Sequence, residues 1–181
     1  MLTGTKHCGG FCRISLDIHI IWEGPFSLEE SLNKNCESDY GLYQFYGDHI
    51  VYGQNVLLYL GKAESQTFGR RISQHNWNVW TSSPAQIYLG KIVSESPLDG
   101  EEWNKQICLA ERIILQSHTP TFNSSNLNSI GHKDGDARVL NWGMRKHILP
   151  EISISRWEGD YAVGNKVKDR FKVQRRGQTL A

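Results

Sequence analysis

Every second position from Cys12 to Trp22 is apolar, Ile14, Leu16, Ile18 and Ile20 included, and a period of two predicts a strand that buries one face. Gly24-Pro25 breaks the run and a short helix is expected from Ser27, so residues 1–38 read as an accessory edge. Tyr40 to Tyr46 and Asn55 to Gly61 are two β-rich runs joined through Gly47, Asp48, Gly53 and Gln54, which predicts an antiparallel hairpin with a long loop. Helical spacing takes over between Thr67 and Asn76. A third strand, Ala85 to Val93, follows the Ser82-Ser83-Pro84 break, and a long helix opens near Asp99 and closes before Pro120. In that helix Trp103, Ile107, Ala110 and Ile114 form one apolar stripe, and Asp99 three residues before Glu102 is an aspartate version of a capping box.

These elements run β-β-α-β-α. They predict an α+β, sandwich-like fold: a small, mainly antiparallel central sheet with flanking helices over residues 39–124 and an extension at each end. Asn123 to Ala137, rich in Ser, Asn, Gly and Asp, reads as a surface loop, and Gly164-Asn165 between two β-like runs suggests a terminal hairpin over Asp160 to Val173. Residues 125–181 are thus expected to form a loop and a basic extension packed on the core.

With 181 residues the chain has room for one sizeable core, and six Trp, seven Tyr and six Phe supply material for it, which excludes a disordered chain. The apolar stretches 18–22 and 56–60 fall far short of the roughly 18 residues of a membrane helix. Export would need a basic region followed by an apolar one at the amino end, and the chain lacks it, so a cytoplasmic protein without a membrane partner is expected. Cys8, Cys12, Cys36 and Cys108 are too few for a disulfide framework and are expected as free thiols; His7, Cys8 and Cys12 could open a zinc site, but the chain has no Cys-x-x-Cys pair and no two histidines three to five apart to complete it.

Net charge is only +1, but residues 1–64 carry net −4 and residues 125–181 net +5. The densest basic stretch holds Lys166, Lys168, Arg170, Lys172, Arg175 and Arg176, and the spacing of two from Lys166 to Lys172 makes a stripe able to track a phosphate backbone or to guard an edge strand.

Glu111 falls on the helical wheel between Ile107 and Ile114 on one side and Cys108 and Leu115 on the other. A carboxylate so placed needs a cation, a strong donor or an opening to solvent; a divalent metal or an arginine from a neighbouring helix would each serve. Arg71 and His75, four apart, project from one helical face, and Tyr43 and Tyr59 each belong to a definite sheet face.

Gly41-Leu42-Tyr43, Tyr59-Leu60-Gly61-Lys62, Arg71 and His75, Glu111, and Pro120 with Asn123, taken in order, resemble the successive motifs of the GIY-YIG nuclease superfamily. The resemblance spans residues 39–124. A second Tyr-Leu-Gly-Lys, Tyr88 to Lys91, shows that neither motif is specific alone and reads as structural; the specificity lies in the ordered set.

The resemblance implies a metal-dependent endodeoxyribonuclease that hydrolyses phosphodiester bonds of double-stranded DNA in one step. By it, Tyr43 would be the general base or anchor the attacking water, and Tyr59 would contact the scissile phosphate or orient that water. Lys62 would lower a tyrosine's pKa, Arg71 would hold a non-bridging oxygen, and His75 would support the phosphate or Tyr43. Glu111 would be the protein ligand of a Mg²⁺ or Mn²⁺ ion, and Asn123 would brace the site. A phenol with pKa near 10 is ionised to only about one part in a thousand at pH 7, so cations beside it are required.

Two features depart from the motifs: leucine replaces the central isoleucine in both, and the tyrosines stand 16 positions apart. His75 four after Arg71 and Asn123 twelve after Glu111 are most like the type II restriction-endonuclease branch, for which a homodimer would suit a symmetric site. A structure-specific repair or homing-type endonuclease of the same superfamily, and a non-catalytic DNA-binding module on the same fold, are the alternatives. The chain contains no Asp-x-Lys or Glu-x-Lys triplet and no His-Asn-His arrangement of convincing spacing.

Overall fold

Alternation is realised at once in β1 (Leu16–Phe26), where Ile18, Ile20 and Trp22 are almost wholly buried while Ile21 and Glu23 face outward. The computed structural model describes residues 16–77, 81, 83–124 and 137–153. After β1 come α1 (Leu28–Leu32), β2 (Gly41–His49), β3 (Gly53–Ala63), α2 (Phe68–Ile72), β4 (Gln86–Val93), α3 (Gly100–His118), β5 (Ala137–Gly143) and β6 (Glu151–Ser153). The fold is mixed α and β, a curled six-stranded sheet with three helices, and its strand order is β3-β2-β4-β1-β5-β6. Neighbouring strands are antiparallel except β1 and β5, which run parallel.

That order corrects the expectation of an accessory amino-terminal edge. β1 lies inside the sheet, between β4 and β5, and continues through Gly24-Pro25 to Phe26. Trp22 explains its hold: the indole donates to Asn141 at 2.8 Å, and its ring lies so close to Gly90 that a Cβ there would sit 2.7 Å away.

The hairpin is corrected too. Its strands run on to His49 and from Gly53, leaving a turn of only Ile50, Val51 and Tyr52. Asp48 accepts from the Asn55 amide at 2.9 Å and the His49 ring accepts from the Val51 and Tyr52 amides, so polar contacts extend a ribbon where composition suggested a loop.

α1 opens with a full capping box on Ser27, and α3 with the Asp99 carboxylate accepting from the Glu102 amide at 2.8 Å, a contact of about 1 kcal/mol. Along α3 the predicted stripe packs on the sheet: Ile107, Ala110 and Ile114 join Ile18, Ile20, Leu42, Tyr46 and Leu60 in one core. The opposite face of β2, β3 and β4 builds a second core from Tyr43, Phe45, Leu58 and Leu89 with Phe68 and Ile72 of α2. Among the described residues no helix is long and apolar enough to cross a membrane. Of the expected loop from Asn123 to Ala137, residues 125–136 lie outside the described residues, as do the terminal hairpin, the basic stripe and the His7–Cys12 segment.

Candidate active site

Two glycines permit close approach here, and the second of them opens the space the tyrosines occupy. Gly41 has φ +150° and passes so close to the Gly90 carbonyl that no side chain fits. Gly61 stands opposite Tyr43 in the β2–β3 register, and a Cβ there would fall 2.5 Å from the Tyr43 hydroxyl and 2.7 Å from the Tyr59 ring. The missing side chain at 61 is the gap through which the two phenols approach.

Tyr43 is fully buried, and its Oη lies 3.1 Å from His75 Nε2. The Tyr43 and Tyr59 rings are 6.0 Å apart, and the Tyr59 and His75 rings 5.2 Å. Trp77 holds this group from behind: it stacks on Phe45 at 4.2 Å, meets the His75 ring at 4.7 Å, and donates its indole N–H to the Ile72 carbonyl at 2.7 Å. It is a core tryptophan.

The α2 helix is shorter than the predicted Thr67 to Asn76, yet the turn after it, closed by Gln74 N–H to Arg71 O and His75 N–H to Ile72 O, still brings His75 beside the phenols. Arg71 donates to Gln74 at 2.9 Å, and its charge acts on Tyr43, Tyr59, His75, Glu64 and Glu111 alike. Arg70 next to it is exposed.

Burial pushes the Tyr43 phenol far above the ordinary tyrosine range; Tyr59 adds to the shift, and Arg71 opposes it without cancelling it. Tyr59 is also raised by burial, against the pull of Arg71 and a hydrogen bond with Tyr43, while the charge of Glu111 adds to the rise. Burial, then Arg71, hold His75 below its usual value, so its ring is neutral at pH 7.

Lys62 stands elsewhere than expected. Paired with Leu42 across the strands, it lies on the α3 face, where Nζ donates to Glu64 Oε2 and to Cys108 Sγ, each at 2.8 Å, and stands 3.9 Å from Glu111 Oε2. Among the described residues the cation acting on both phenols is Arg71; Lys62 faces the acids.

Glu111 is 8% exposed, as its flanking apolar positions predicted, and the cation found beside it is neither of the two expected sources but a lysine from β3, Lys62. Burial pushes its carboxyl up to about 6; Glu64 adds to that, and Lys62, Arg71 and Arg112 work against it. Among the described residues no three His, Cys, Asp or Glu side chains gather to hold a metal. The donor set fits a hard divalent cation that takes one protein carboxylate and fills its shell with water and phosphate oxygens.

Asn123 docks on the outer edge of β3, accepting from the Leu60 amide at 2.9 Å and donating to the Leu60 carbonyl at 2.8 Å, beside a bond from the Phe122 amide to Leu58. It thus fixes the strand between Tyr59 and Gly61. Sequence reasoning missed Glu64 and Cys108. Their signals were present: Glu64 follows Lys62 by two, and Cys108 precedes Glu111 by three on one helix face. Lys166, Lys168, Arg170, Lys172, Arg175 and Arg176 lie outside the described residues. No protein-family model, curated protein or solved structure matches the chain.

Proposed function

We propose that this chain is a metal-dependent DNA endonuclease of GIY-YIG type, most like the restriction-endonuclease branch. The observation that supports it most is the grouping of Tyr43, Tyr59, His75 and Glu111, from β2, β3, the turn after α2 and α3, around the charge of Arg71.

A phosphodiester in that space would set a non-bridging oxygen on the Arg71 guanidinium, a charge-assisted contact. Tyr59, the more accessible phenol, would align the attacking water, with Arg71 favouring negative charge on its oxygen. Tyr43 would work from behind: its hydroxyl lies 3.1 Å from His75 Nε2, and in the tautomer that leaves Nε2 bare the neutral ring would take up a proton there. Asn123 keeps the Tyr59 strand in place. A Mg²⁺ or Mn²⁺ ion on Glu111 would supply Lewis-acid neutralisation of the charge developing on the leaving oxygen.

The test is cleavage of a mixed-sequence plasmid with Mg²⁺ by wild type, Glu111→Ala and Tyr43→Phe. Wild type is expected to nick and linearise it, and each variant to be slower by about 100-fold or more. Equal residual cutting by all three would overturn the reading. Cleavage of intact linear duplex at one sequence supports the restriction branch, for which a DNA-bound twofold dimer is expected in sedimentation; cutting confined to branched or damaged duplex assigns the repair branch instead.

A further inference from the structure

We infer that Glu64 is a positioning residue for the metal site at Glu111: it holds the Lys62 ammonium off that carboxylate. The inference rests on the proposed metal role of Glu111.

Lys62 Nζ, Glu64 Oε2 and Cys108 Sγ form a closed triangle, with Lys62 2.8 Å from each partner and the thiol 3.1 Å from the carboxylate. Glu111 stands outside it at 3.9 Å, beyond hydrogen-bond reach. An ammonium has three donors and no acceptor, and a thiol is a weak acceptor, so the bond to Glu64 is the one that anchors Lys62.

Without that anchor the next strong acceptor in reach is Glu111. A shift of about 1 Å would close a direct pair of ordinary charge-assisted length. The side chain of Glu111 is 11% exposed against 36% for Glu64, so a pair formed there is less screened by water and harder to displace. A metal ion would then have to expel a paired ammonium before reaching the carboxylate. Glu64 neutralises the lysine where it stands and leaves the oxygens of Glu111 open.

The experiment titrates Mn²⁺ alone into the full chain and reads bound ion by water-proton relaxation, which needs no turnover. Glu64→Gln is expected to raise the Mn²⁺ dissociation constant about tenfold, as loss of a supporting residue around a metal ligand commonly does. Lys62→Met is expected to bind at least as tightly as wild type. The double variant should return to within about twofold of Lys62→Met, because removing the lysine removes what Glu64 restrains.

An unchanged constant in Glu64→Gln overturns the inference, and so does a double variant as weak as Glu64→Gln alone, which would make Glu64 a direct participant. Glu111→Gln separates the two levels. If it loses Mn²⁺ while Glu64→Gln binds normally, only the inference falls; if it binds Mn²⁺ like wild type, the metal assignment falls and the inference with it.

Discussion

The tetrapeptide Tyr-Leu-Gly-Lys occurs twice, at 59–62 in β3 and at 88–91 in β4, and the two copies live in different surroundings. β3 is an edge strand; β4 lies between β2 and β1. In the inner copy Tyr88 is 5% exposed and packs edge-on against Tyr46 at 5.5 Å, Gly90 makes room for Trp22, and Lys91 pairs with Asp39 at 3.2 Å. Each residue is used up by packing or pairing. In the edge copy Gly61 makes room for a second phenol, Tyr59 remains partly accessible, and Lys62 stands between two acids, one of them almost buried. Identical side chains become fold or candidate chemistry according to what the neighbouring strand and helix bring to them.

The sharpest way to break this comparison is to remove one phenol oxygen from each copy. Tyr59→Phe is expected to slow plasmid cleavage by about 100-fold, the cost of losing a group that contacts the reacting atoms, and Tyr88→Phe to leave the rate within about twofold. Equal losses measured in parallel would erase the distinction.

The acids beside the two lysines give a second contrast, one of sign. Glu111 has its folded pKa raised from 4.5 to about 6, so the stability it contributes is fully present below 4.5 and is lost as pH rises through 6. The metal-free protein should therefore lose about 2 kcal/mol between those limits, and Glu111→Gln should remove that slope from denaturant melts taken across pH.

Asp39 behaves oppositely. Burial alone would raise its carboxyl, but the Cys36 amide and Lys91 outweigh burial and hold it below 3.8, so its stability is present above 3.8 and fades as pH falls through the lower folded value. A stability curve that rises steadily from pH 4.5 to 7 and is unaffected by Glu111→Gln would contradict the raised value. The smallest effect is at Lys91. Its pair is one-third exposed on the lysine side, so Lys91→Met should cost no more than about 1 kcal/mol in chemical melts and leave cleavage unchanged.

Local periodicity and spacing carried much of this. The stripe of α3, its Asp99 cap, the alternation in β1 and the near burial of Glu111 follow from positions on a helix or strand, because backbone geometry repeats over a few residues. The ordered motifs likewise marked Tyr43, Tyr59, Arg71, His75 and Glu111 as a set. Alternation says which face of a strand is buried and nothing about its neighbours. The parallel pairing of Leu16 with Ala137, 121 positions apart, and the inner place of β1 belong to tertiary structure alone. The same holds for the ribbon extended by Asp48 and His49, and for Lys62 turning toward Glu64, Cys108 and Glu111 while Arg71 serves the phenols. Such contacts join residues whose separation along the chain encodes no direction in space, and their strength depends on a desolvation that only the assembled sheet and helix provide.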